Sequence, residues 1–268
     1  MSDVRLLRAD DVPGALGLSI AASWNQTAAD WERLLRIAPN SCWCVEDQGT
    51  VVATTTLVVF GELGWIGMVL TDPAYRSRGL ARKLLQTALT HSDVQDLRTL
   101  KLDATEFGKP LYKSLGFVTE ETVERWHRPG EYRTLDTNSS ILPSRFEDLN
   151  RASFGVDRSM LLRDLFAHCP AAASSEGFAL ARGGREALYL GPCFSECAGD
   201  AAKLIESVIG RMPSASWYWD LLPSNEAAVR VAKENGFSMS RRLWRMRRGP
   251  SCEEDGQKIF AIAGFEFG

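Results

Sequence analysis

No stretch of the 268 residues approaches the roughly 18 consecutive apolar positions of a membrane-spanning helix. The N-terminus carries Asp3, Asp10 and Asp11 where a secretion signal would be basic, and no sufficient apolar run follows. The expectation is a cytoplasmic protein without a membrane partner. Metal-ligand patterns are equally scarce. The six cysteines, at 42, 44, 169, 193, 197 and 252, form no Cys-x-x-Cys pair, and the three histidines lie far apart. No metal is expected, and the thiols read as buried and reduced. Neither Gly-x-Gly-x-x-Gly nor a Walker sequence occurs, which argues against dinucleotides and nucleoside triphosphates. Charge excess is also lacking: a formal net charge of −3 gives no general attraction for nucleic acid or anionic lipid, so any anion site must be local.

What is present is the composition of an ordinary globular protein, 45% apolar and 24% charged, long enough for one large α/β domain or two compact ones. Asp10 and Asp11 before Pro13 open a helix to about Ser23, and Ala28 to Ile37 reads as a second. Apolar and β-branched runs at 41–45, 51–60 and 65–70, separated by Gln48-Gly49 and Gly61 to Gly64, predict consecutive hairpin strands. After Asp72-Pro73 the period changes, with Leu80, Leu84, Leu85, Ala88 and Leu89 at helical spacing. A strand over 97–103, a short helix over 110–115 closed by Gly116, and one or two strands from Val118 to Trp126 complete this unit.

The stretch from Pro129 to Ser140 reads as a linker, and the second half then repeats the first. Asn225-x-x-Ala228 ahead of Asn235-Gly236-Phe237 matches Thr105-x-x-Gly108 ahead of Leu115-Gly116-Phe117 at an offset of 120, which also lays Arg245 on Arg125 and Arg248 on Arg128. Upstream, Tyr189 to Pro192 is placed on Leu70 to Pro73 at an offset of 119.

The chemistry concentrates between Trp65 and Leu85. A strand ends at Asp72-Pro73, and the turn Arg76-Ser77-Arg78-Gly79-Leu80-Ala81 leads into a helix. The first amides of a helix lack internal acceptors and carry its positive dipole end, so such a turn can cradle a diphosphate. Gly79 permits close approach of backbone to ligand, and Arg76, Arg78, Arg82 and Lys83 add local positive charge.

Together with Tyr112-x-x-x-Gly116-Phe117, this pattern resembles the GNAT superfamily of N-acetyltransferases, whose turn is Gln/Arg-x-x-Gly-x-Gly/Ala. The resemblance departs at Thr105 and Gly108, where the family usually has Asn and Ala. It extends to tandem members of the superfamily. The fold it implies is α/β (α+β): two GNAT-like domains, 1–135 and 136–268, each a mixed, mostly antiparallel twisted sheet flanked by helices. Acetyl-CoA is the implied cofactor, acting as co-substrate. It would be held by Val69, Leu70 and Thr71 on a splayed strand and by Arg76, Ser77, Arg78, Gly79, Leu80 and Ala81. The implied reaction is direct attack by an amine, with Tyr112 protonating the departing thiolate.

The acceptor, a small molecule or a peptide, is not legible. Trp24 and Asn25 lie between the first two helices, a region that borders the acceptor in this superfamily. Trp65 occupies the position where histone-acetylating relatives carry a glutamate base, and with Trp24 and Asn25 it is an expected acceptor-substrate residue. Asp30, Glu62, Glu106 and His127 are the remaining candidates for accepting a proton. In the second half, Ser195 to Asp200 lacks the Arg and Gly of the turn, Glu196 and Asp200 would repel a diphosphate, and Ala232 replaces Tyr112. That repeat is expected not to catalyse. Trp217-Tyr218-Trp219 reads as core. Two other functions are open: an acyl-CoA sensor without catalysis, or a nucleic-acid module built on Arg241 to Arg248, a run otherwise read as a solvated strand end.

Overall fold

The computed structural model describes residues 3–135 and 145–268. Residues 136–140 of the expected linker lie outside them. The first half runs β1 (Val4–Leu6), α1 (Val12–Ala21), α2 (Ala28–Ile37), β2 (Cys42–Asp47), β3 (Thr50–Phe60), β4 (Leu63–Thr71), α3 (Leu80–Val94), β5 (Thr99–Ala104), α4 (Lys109–Ser114) and β6 (Val118–Arg128). The second runs α5 (Phe146–Phe154), α6 (Ser159–His168), β7 (Ala171–Ala173), β8 (Gly177–Arg182), β9 (Leu188–Ser195), α7 (Ala198–Ile209), β10 (Trp217–Leu221), α8 (Glu226–Glu234), β11 (Ser238–Arg248) and β12 (Ile259–Ala261). The α/β class with a mostly antiparallel sheet is as expected. Helix α1 stops at Ala21, two residues early, because Ser23 turns left-handed.

The strands form one continuous sheet in the order β1-β2-β3-β4-β5-β11-β6-β10-β9-β8-β7, with β12 beside β9. Strand β11, from the second half, therefore sits between β5 and β6 of the first, and β6 pairs onward with β10. The Arg-rich run is thus a central strand, not a solvated strand end. Arg242 pairs with Glu124, Arg245 with Asp103 and Arg247 with Glu120. Cross-strand ion pairs on both faces of the sheet absorb these charges.

Two arginines at the 120-residue offset hold the exchange symmetrically. Arg125 on β6 makes a two-pronged bond to Asp220 on β10 at 2.8 and 2.7 Å, and Arg245 on β11 does the same to Asp103 on β5 at 3.0 and 3.1 Å. Each arginine thereby reaches a carboxylate of the other half. The glycines of the repeated Gly-Phe pairs repeat the relation, Gly116 facing Arg248 and Gly236 facing Arg128. The upstream offset of 119 does not hold in the same way: Pro73 opens the turn after β4, whereas Pro192 lies inside β9.

Side-chain alternation sorts β2 between two layers. Cys42 and Cys44 join the α1–α2 side, while Trp43 and Val45 face α3. Burial pushes both thiols up, that of Cys44 to about 11, so they stay protonated. The core under α1 and α2 continues without a break through Phe154, Leu161, Leu165, Phe178 and Phe267 of the second half. The two halves share a core as well as a sheet. Trp217 and Trp219 are fully buried, as read from the sequence.

Candidate functional site

Strands β4 and β5 run parallel only from Leu63 to Trp65, paired with Thr99 to Lys101, and then part. Beyond Trp65 the β5-facing backbone of β4 has no strand partner. A bulge deepens the opening: between Thr54 and Thr56 of β3 the partners jump from Leu70 to Gly67, and Met68 adopts φ 50°. The Thr54 hydroxyl donates to the Met68 carbonyl at 2.8 Å, which helps fix this strained residue.

At the end of β4, Asp72 accepts from the Ala74 amide at 2.8 Å and closes a 3₁₀ turn over Pro73–Tyr75. Ser77 and Gly79 then take φ 62° and 79°, and α3 starts with no side chain capping it. A Cβ added at Gly79 would meet nothing within 4 Å, so the left-handed backbone rather than crowding calls for glycine here. Uncapped amides at the mouth of a 15-residue helix fit a diphosphate. Arg82 reaches across to the Ser114 hydroxyl at 2.9 Å, joining α3 to α4.

A cavity of about 840 Å³ fills the opening. Val69, Leu70, Thr71, Arg76, Ser77, Gly79, Leu80 and Ala81 all line it, as do Tyr112 and Trp24. Arg78 is not among the lining residues: it bonds the Ala74 carbonyl at 2.9 Å and lies 4.7 Å over the Tyr75 ring. Asn25 borders a smaller neighbouring pocket, its side chain tied to Glu186 and Ala187 ahead of β9. Trp65 is fully buried outside the cavity lining, and its indole donates to the Phe265 carbonyl at 3.0 Å.

Tyr112 packs its ring against Phe117 and against Gly108, where a Cβ would stand 3.0 Å from the ring. Glycine in place of the family's alanine is therefore a packing choice. Thr105 accepts from the Gly108 amide at 3.2 Å, the bond that Asn225 makes to Ala228 at 3.1 Å. No hydrogen bond engages the Tyr112 hydroxyl among the described residues, and burial raises its pKa above the ordinary tyrosine value.

None of the four sequence candidates for a base lines the large cavity. Asp30 is paired with Arg33 and Arg182, Glu62 with Arg98, Glu106 is exposed, and His127 sits 2.9 Å from the Ser216 hydroxyl. The acidic groups lining the cavity are Asp103 and Glu266. Glu266 comes from the segment after β12 that crosses back to the first half. Its carboxylate is buried, accepts from Gln26 at 3.0 Å and pairs with Arg182 at 3.0 Å. Phe265, Arg125 and Arg241 join it on the same wall.

The second half has the corresponding parallel pair, β9 with β10 from Leu188 to Leu190, but its opening is filled. Strand β12 pairs with Phe194 and Cys193 on one side, while the Ile262 amide reaches the Asp220 carbonyl on the other at 3.0 Å. At the start of α7 Asp200 accepts from the Ser174 and Ser195 hydroxyls, and Glu196 is paired with Lys258. Ala232, at the tyrosine position, is core.

Among the described residues there is no cluster of three His, Cys, Asp or Glu groups able to hold a metal, and no helix is long and apolar enough to cross a membrane. Residues 17–117 match the Acetyltransferase (GNAT) family and residues 146–261 an Acetyltransferase (GNAT) domain. The chain belongs to the GNAT family of acyltransferases and carries two of its domains in tandem. It is 29% identical over 213 residues to an uncharacterized N-acetyltransferase, YitH, of Bacillus subtilis, covering 74% of this chain and 75% of that one. It is 25% identical over 265 residues to a holothin acyltransferase of a Pseudoalteromonas species, covering 93% and 89%. A solved chain from Pyrococcus horikoshii superposes with a TM-score of 0.85 at 22% identity, covering 99% and 95%. A tandem GNAT protein from the clavulanic acid biosynthesis pathway gives 0.63 at 17%, covering 94% and 100%.

Proposed function

We propose that the protein is an N-acetyltransferase that moves an acetyl group from acetyl-CoA to an amine, with one cofactor site, in the half spanning residues 1–135. The observation that carries this reading is one cavity that unites the uncapped α3 N-terminus, the parted β4 backbone and the Tyr112 hydroxyl, which has no hydrogen-bond partner among the described residues. Bound acetyl-CoA supplies an acyl thioester whose C–S bond breaks as the amine nitrogen forms the new C–N bond. The amides of Leu80 and Ala81, with Arg76, would hold the diphosphate, and the backbone of Val69 to Thr71 would line the path of the pantetheine arm. Tyr112 gives its proton to the departing sulfur, and the amine loses one to solvent or to the acceptor wall. Residues 145–268 complete the sheet and supply part of that wall. Free cysteines throughout fit a reducing cytoplasm.

The test is release of free thiol from acetyl-CoA across a panel of amines. Turnover with at least one amine, well above hydrolysis, is the expected result. Binding of acetyl-CoA without turnover by any amine would leave a sensor and sink the enzymatic reading.

A further inference from the structure

The acceptor wall contains one arginine with no hydrogen bond or ion pair of its own among the described residues. Arg125 has Asp220, Arg182 has Asp30 and Glu266, and Arg245 has Asp103. Arg241, on β11, lines the same cavity without a hydrogen bond or an ion pair among the described residues, and its buried Nε has no partner. Its guanidinium lies 5.6 Å from the Phe265 ring, which Arg125 flanks at 4.6 Å. Arg241 is half-buried, its Nε enclosed without a partner while the residue faces the cavity, so a bound anion would find donors that no carboxylate of the protein occupies. Burial first, and then the like charge of Arg125, pushes Arg241 below its ordinary pKa, with Asp220 and Tyr218 opposing the shift.

Glu266 does not fill it, being committed to Arg182 and Gln26. The rest of this wall is Trp24, Met68, Leu243 and Phe265, which offer shape but no charge. A guanidinium fork with free donors, set beside Phe265 and Leu243 on a wall whose other charges are already paired, matches a carboxylate in geometry and in sign.

We propose that the acceptor is an amine that also bears a carboxylate, an amino acid or a short peptide, and that Arg241 binds that carboxylate in the cavity. This rests on the acetyltransferase reading and names its substrate class. A purely cationic acceptor such as a polyamine would meet Arg241 unfavourably.

The test uses the full chain and thiol release from acetyl-CoA, with free amino acids and dipeptides each set against its C-amidated counterpart. The carboxylates are expected to be preferred by at least tenfold in kcat/KM. In Arg241→Met, kcat/KM for the preferred carboxylate should fall by ten- to a hundredfold and that for its amide should stay within twofold, with the KM for acetyl-CoA unchanged. Thermal stability should hold, because Arg241 is only half-buried and makes no ion pair among the described residues, whereas a purely structural arginine would lower Tm. Amides turned over as well as acids by the native protein, or an Arg241→Met variant that keeps the preference, would overturn the proposal while leaving the acetyltransferase reading intact. Absence of turnover with every amine would remove both.

Discussion

Arg245→Ala should lower the free energy of unfolding by about 3–5 kcal/mol, the usual cost of leaving one member of a buried ion pair alone. The guanidinium is fully buried on the central strand β11, makes two bonds to Asp103 and lies 4.8 Å from the Trp65 ring. Removing it leaves the Asp103 carboxylate in the interior, where burial already raises its pKa despite Arg245. The remaining carboxyl is expected to take up a proton rather than stay charged, so the loss should be greatest at high pH. Replacing both members with apolar residues, Arg245→Met with Asp103→Leu, should recover much of the stability. Arg242→Ala is the control: its side chain is half exposed and its pair with Glu124 should be worth no more than about 1 kcal/mol. Urea denaturation of the three variants checks this. Because the halves share a core and a sheet, the native protein should unfold in one transition. Equal costs for Arg245→Ala and Arg242→Ala would mean that the exchanged strand is not secured by its buried pair.

Tyr112→Phe should reduce kcat by a hundredfold or more while changing the KM for acetyl-CoA little, since a positioned acid contributes roughly 10²–10⁴ in rate. The substitution keeps the ring that packs on Gly108 and Phe117, so folding is not at issue. Burial raises the Tyr112 pKa, so the hydroxyl remains protonated where an exposed tyrosine would ionise. Loss of this acid should therefore not produce a fall in rate near pH 10. The departing thiolate draws on a donor that has no competing partner among the described residues. A variant with undiminished kcat would assign Tyr112 to packing alone.

The local chemistry of the site was readable because it depends on residues close in sequence. Arg76 to Ala81 places a left-handed glycine at a helix mouth, and Thr105 to Phe117 builds a short helix carrying Tyr112, so local pattern reaches both segments, while the roles proposed for them come from the family resemblance. The acceptor wall was not readable in this way. Gln26 and Glu266 are 240 positions apart, and periodicity carries no information on such a contact. The same holds for β11: its arginines read as solvated because a strand's neighbours are set by pairing that local pattern does not encode. The match of Arg245 to Arg125 was visible, but its meaning, two reciprocal pairs across an exchanged strand, needed the sheet order. Trp65, expected at the acceptor, is instead fully buried outside the cavity lining. In the fold its indole holds the segment that brings Phe265 and Glu266 to the cavity.

The degenerate second repeat follows the same physics. Asp200 satisfies the hydroxyls at the start of α7, and β12 occupies the opening that β4 and β5 leave free in the first half. Sequence showed the lost motif, whereas only the fold shows the space filled.

Titration of the full chain with acetyl-CoA by calorimetry tests the central claim most directly. One equivalent should bind per chain, and Gly79→Val, which puts a β-branched side chain at φ 79° in the open mouth of α3, should weaken binding by at least tenfold. Two equivalents per chain, or unchanged affinity in Gly79→Val, would contradict a single cofactor site at the head of α3.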